Sequence, residues 1–100
     1  METKKMAYTA WKALDDKKAE DIKIIDIHEI STLADYFIIA GAGSAPQVQA
    51  CMDEVEEQMH KAGYALQRTE GNRDSSWVLM DFKDIVVHIF LREDRLFYDL

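Results

Sequence analysis

Apolar residues recur along this chain with two different periods, and the change from one to the other divides it into elements. Met6, Ala10, Ala13 and Leu14 return at helical spacing, with Lys4, Lys5, Lys12, Asp15 and Lys17 around the other side, which predicts an amphipathic helix over about 4–19. Asp21 closes a charged break. Ile22, Ile24, Ile25 and Ile27 are β-branched and too short a run for a helix, so residues 22–28 are expected to be a strand. Tyr36-Phe37-Ile38-Ile39-Ala40 lacks alternation and ends in Gly41-Ala42-Gly43, the pattern of a strand buried on both faces. Val48, Met52, Val55, Met59 and Ala62 then step by four and three along one helical face, and Met52 and Met59 are read as core. Ser44 can cap that helix, Gln47 can reach back in a capping box, Pro46 suits the first turn, and Gly63 supplies a left-handed stop. Residues 64–70 form a weaker strand, followed by the polar loop Gly71-Asn72-Arg73-Asp74-Ser75-Ser76.

The last third is the most specific. Trp77 to Phe82 and Ile85 to Leu91 read as two strands; if Lys83-Asp84 form the turn, Phe82 faces Ile85, Met80 faces Val87 and Val78 faces Ile89, whereas a three-residue loop would shift the pairing by one. That face is wholly apolar and belongs to a core. The same register sets Asp81 beside Val86, Leu79 beside His88 and Trp77 beside Phe90, so the other face mixes large apolar groups with an acid and an imidazole. The layout expected is an α/β single domain over 1–100, with a mixed sheet of about five strands, flanking helices and a short terminal helical turn.

Composition narrows the function classes. Nineteen acids against twelve Lys and Arg give a net charge of −7, which disfavours a nucleic-acid partner unless a local patch overrides it. Cys51 is the only cysteine, so no intramolecular disulfide or cysteine zinc site is available. No apolar run approaches the ~18 residues of a membrane span, and the N-terminus lacks a signal peptide's apolar stretch. A cytoplasmic protein without a cofactor is expected.

Candidate chemistry is sparse. Gly41-Ala42-Gly43-Ser44 between a strand and a helix could hold a phosphate, but Pro46 stands where a dinucleotide fingerprint needs its third glycine, and the phosphate-loop Lys-Ser pair is missing. A metal-dependent nucleotidyltransferase needs two acids on the strand after such a Gly-Ser pair. Here Asp53, Glu54, Glu56 and Glu57 lie on the helix, and the next strand offers Glu70 alone. His28, His60 and His88 share no ligand spacing, and Cys51 has no basic neighbour in sequence. Trp77 admits two readings, a large core residue or, with Phe90 and Tyr98 and ringed by Asp81, His88 and Arg95, an anchor of a protein interface.

Several motifs in order carry a family resemblance: Ala34-Asp35-Tyr36-Phe37-Ile38-Ile39, Gly43-Ser44 with Gln47-Val48, Glu70-Gly71, Trp77-Val78-Leu79-Met80-Asp81, Val86-Val87-His88-Ile89-Phe90 and Arg95-Leu96-Phe97-Tyr98-Asp99-Leu100. Together, from about Ala13 onward, they resemble the ribosomal silencing factor family, also called Iojap. The resemblance implies a nucleotidyltransferase-like fold without the transferase acids, no catalysis, and a homodimer when free. It also implies attachment to large-subunit ribosomal protein fourteen, which blocks subunit joining and represses translation when nutrients run low, with little direct nucleic-acid contact. Trp77, Leu79, Asp81 and His88, with Phe90, Arg95 and Tyr98, are the candidate partner-binding residues. The sequence departs from the family pattern at Asp74-Ser75-Ser76 and at Lys83, where glycines are usual, and it lacks the usual continuation after Leu100.

Overall fold

A computed structural model of the protein describes residues 2–29, 34–71 and 77–91. The elements run α1 (Glu2–Asp16), β1 (Glu20–Asp26), β2 (Tyr36–Ala42), α2 (Ala45–Lys61), β3 (Arg68–Glu70), β4 (Trp77–Asp81) and β5 (Ile85–Leu91). The strands form one mixed sheet in the order β1-β2-β5-β4-β3, with β2 and β5 parallel and every other pair antiparallel. Both helices lie on one face, which makes a two-layer α/β domain. The terminal helical turn expected near the C-terminus lies outside the described residues.

The β4/β5 register is the one expected from the alternation: Trp77 opposes Phe90, Val78 Ile89, Leu79 His88, Met80 Val87 and Asp81 Val86. Val78, Met80, Ile85, Val87 and Ile89 are buried against the helices together with Ile38, Ala40 and Ala42 of β2. Helix α1 contributes Met6, Ala7, Ala10, Ala13 and Leu14 to the same core. The α2 stripe differs from the one read in sequence, since its buried residues are Val48, Cys51, Val55 and Met59, while Met52 is half-buried and Ala62 exposed. A helix packed between a sheet and a second helix buries a broader stripe than a single four-three seam, and Cys51 occupies its flank.

The helix ends explain two further differences. Gly63, at φ 92°, lets Tyr64 N–H donate to Met59 O and Gly63 N–H to His60 O, a Schellman closure. Helix α1 ends in the same way three residues earlier than its pattern implied: Ala19 N–H donates to Leu14 O and Lys18 N–H to Asp15 O, with Lys18 at φ 60°. A lysine in that conformation leaves no glycine signal. Asp21, expected to break the chain, instead enters β1 at φ 48° where the β1/β2 register slips. The strand expected over 64–70 shortens to Arg68–Glu70.

At the start of α2, Ser44 Oγ accepts the Gln47 N–H at 3.3 Å, as a cap should. Gln47 does not close the reciprocal box on Ser44. Its Oε1 accepts the Gly43 N–H at 2.7 Å, and its Nε2 donates to Lys18 O at 2.9 Å and Lys17 O at 3.3 Å. One side chain thereby ties the α1–β1 turn to the α2 N-terminus.

The backbone conformation at three positions generates a stability prediction. Lys18 and Lys83, at φ 60° and 78°, hold a region that costs an L-residue about 1–2 kcal/mol, whereas at Gly71 (φ 82°) an added Cβ would fall 2.5 Å from Trp77 O. Lys18→Gly and Lys83→Gly are each expected to raise unfolding free energy by about 0.5–1 kcal/mol after the entropy of glycine is deducted. Gly71→Ala should lower it by more than about 1 kcal/mol. Urea titrations of the three variants check all of these, and unchanged midpoints in the glycine variants would refute the strain argument.

Candidate functional site

The helices cover one face of the sheet, and the candidate residues stand on the other. Alternation along β4 and β5 puts Trp77, Leu79, Asp81, Val86, His88 and Phe90 there, with Phe37 of β2 beside Val86 in the parallel register. Five of the seven sequence candidates are therefore neighbours on one surface. Arg95 and Tyr98 lie outside the described residues.

Ring contacts knit this face together. His88 sits at the centre: its ring meets Phe37 edge-on at 4.8 Å between centroids, lies within 14° of parallel to Trp77 at 5.9 Å, and within 11° of parallel to Phe90 at 6.4 Å. Trp77 and Phe90 add a pair at 6.2 Å. Trp77 remains 37% exposed, so it is not a fully buried core residue, while its cross-strand neighbour Phe90 is buried at 5%. Beside the rings lies a depression of about 850 Å³ lined by Phe37, Leu79, Val86 and His88 and rimmed by Arg68, Asp81 and Lys83. Asp81 Oδ1 accepts the Lys83 N–H at 2.8 Å, so this acid also holds the β4–β5 turn. Phe37 and Arg68 were missed in sequence because neither lies on the hairpin whose alternation was legible. Only the parallel β2/β5 pairing brings Phe37 in.

His88 is electrostatically unusual. The Trp77 Nε1–H donates to its Nδ1 at 3.2 Å, and its Nε2 is buried and finds no hydrogen-bond partner among the described residues. Burial pushes its pKa below the ordinary 6.5, because the charged imidazolium would lose its hydration. His28 behaves oppositely. It is exposed, and its hydrogen bond with Asp26, reinforced by that carboxylate's charge, raises its pKa while lowering that of Asp26.

The groups considered for catalysis are otherwise engaged. Ser44 Oγ serves the helix cap. Cys51 is buried, and desolvation pushes its thiol up to about 11 despite the nearby Lys17, a neighbour that folding and not sequence supplies. Among the described residues no three of His, Cys, Asp and Glu form a metal-holding group.

What this geometry carries is a partly exposed aromatic face with His88 and Asp81 among its rings. A family model described as "Ribosomal silencing factor during starvation", RsfS, matches residues 1–100. The chain belongs to that family. It is 41% identical over 100 residues to the ribosomal silencing factor RsfS of Bacillus subtilis, spanning all of this chain and 85% of that one. The chloroplast protein Iojap of Arabidopsis thaliana is 36% identical over 89 residues, covering 89% of this chain and 37% of its own. A crystal structure of a Chromobacterium violaceum protein superposes with a TM-score of 0.92 at 35% identity, over 99% of this chain and 82% of that one. RsfS proteins are regulatory factors and not enzymes, so the transferase alternative falls away.

The two histidines dictate a pH dependence. Because the folded pKa of His88 is depressed, the unfolded chain takes up a proton first, and stability falls as pH drops from about 6.5 toward the folded value. The raised folded pKa of His28 acts oppositely, its contribution being complete below 6.5 and lost as pH rises through the folded value. Asp16 and Asp26, both lowered, lose theirs only as pH falls below 3.8. In a His28→Asn background the urea midpoint is expected to fall between pH 7 and pH 5, and adding His88→Phe should flatten that slope. Parallel slopes with and without His88 would contradict the assignment.

Proposed function

We propose that this RsfS protein silences ribosomes by docking the open face of its sheet onto the large ribosomal subunit through ribosomal protein fourteen, where its bulk blocks the small subunit from joining. Translation is then repressed in the cytoplasm when nutrients are short. The observation that carries the reading is the partly exposed Trp77 packed against the half-buried His88 and the buried Phe90, next to a depression that His88 lines. Aromatic anchors supported from below and ringed by polar groups are where binding energy concentrates. Leu79 and Phe37 supply apolar area, and Asp81 offers an acid to a basic ribosomal protein. Arg95 and Tyr98 complete the proposed partner-binding set, and in this reading the free protein is a homodimer.

Truncating the anchor tests this. Trp77→Ala is expected to weaken co-sedimentation with isolated large subunits by about thirtyfold, on the order of 2 kcal/mol, mainly through faster dissociation. Because the indole, 37% exposed, also packs against His88 and Phe90, the melting temperature should fall as well, and dissociation is therefore read far below the variant's midpoint. Unchanged dissociation in the variant would move the docking surface elsewhere on the molecule.

A further inference from the structure

We propose that His88 is the positioning residue of the docking face, its Nδ1 holding the Trp77 indole in the orientation in which the ribosomal partner meets it. The inference rests on the reading of Trp77 as the anchor. Trp77 is the first residue of β4, and an exposed indole at a strand end would ordinarily sample several rotamers that binding must then freeze. His88 stands diagonally across the β4/β5 ladder, the neighbour of Leu79, at the distance where long side chains meet. The near-parallel rings and the 3.2 Å Nε1–H to Nδ1 hydrogen bond fix the indole, while Phe37, edge-on from β2, fixes the imidazole.

The hydrogen bond requires a bare Nδ1, so the imidazole proton resides on Nε2. That atom is buried without a hydrogen-bond partner among the described residues, a standing penalty that an aromatic hydrocarbon at position 88 would avoid. The chain keeps a destabilising group in the middle of its exposed aromatic face, and the one thing that group provides is the Nδ1 acceptor. Protonation would set two donors against each other and release the indole. The titratable groups facing His88 are Asp81 of β4, Arg68 and Glu70 of β3, and Lys83 of the turn, while β2 presents only Phe37 and Ile39. Burial keeps the imidazole neutral at pH 7.

The test measures dissociation of the full chain from isolated large subunits at pH 7.5. His88→Phe, which keeps a ring but no acceptor, and Trp77→Phe, which keeps a ring but no donor, are each expected to speed dissociation about fivefold. The double variant should be no faster than the more affected single one, since both changes break the same bond. His88→Asn, whose Oδ1 falls near the Nδ1 position, should retain most of the wild-type lifetime. In the free protein the Trp77 indole N–H resonance, assigned with a Trp11→Phe variant, should shift as His88 titrates and stay fixed in His88→Phe. Wild-type dissociation in His88→Phe, or strictly additive effects, overturns the positioning role while leaving the anchor intact. Unchanged dissociation in Trp77→Ala overturns the anchor reading itself. If His88→Phe does not fold, the Trp77→Phe rate and the wild-type indole titration decide the matter, a wild-type rate or a shift independent of His88 counting against the proposal.

Discussion

Parallel pairing of β2 with β5 cannot be closed by a turn, so the chain between them must leave the sheet and return, and α2 makes that crossing on one face. Helix α1 packs beside α2 on the same face, and among the described residues no element covers the other. The asymmetry is then written into β5. Ile85, Val87 and Ile89 close the core against the helices, while Val86, His88 and Phe90 alternate onto the open side. A central strand normally carries apolar residues on both faces for burial. Among the described residues the second face carries only its own aromatic ladder, and the face proposed for a partner follows from that.

How much of this was legible depended on whether a local pattern or a long-range pairing set each feature. The hairpin register could be read because the alternation of Val78, Met80 and Phe82 with Ile85, Val87 and Ile89 sets the core face, and taking Lys83-Asp84 as the turn then fixes the pairing observed. The start and stop of α2 were equally plain in Ser44, Pro46 and Gly63. The end of α1 was not, because Lys18 holds a position where glycine is the usual signal. Cys51 was read by its chemistry and not as core, since the width of the buried stripe depends on a second helix that periodicity within α2 cannot reveal. Phe37 joined the candidate face only through a parallel pairing nearly fifty residues away in sequence.

The same residues explain why a Gly-Ser turn before a helix does not make a phosphate site here. Ser44 Oγ and Gln47 Oε1 take up the N–H groups of Gln47 and Gly43, which an anion would otherwise use, and Gln47 Nε2 anchors the α1–β1 turn. A motif that could bind a ligand has become a joint between elements. The open face shows the reverse arrangement. There the Nε2 of His88 is buried without a hydrogen-bond partner among the described residues, a cost to folding that the Ser44 turn does not carry.

Charge and shape act on different sides of the molecule. The acids of α2, Asp53, Glu54, Glu56 and Glu57, stand on the helical layer, away from the aromatic face. On that face Arg68 pairs with Glu70 at 3.5 Å, while Asp81 accepts the backbone N–H of Lys83 in the turn. In the proposed docking, a net charge of −7 draws the protein toward a basic partner at long range while the acids of α2 stay off the contact face. The separation matters energetically, because each charge buried in an interface must recover its lost hydration from the partner, whereas an indole and its supporting rings need recover almost none. For the docking proposed above, an aromatic face on an acidic body thus combines a fast approach with contacts whose desolvation is favourable.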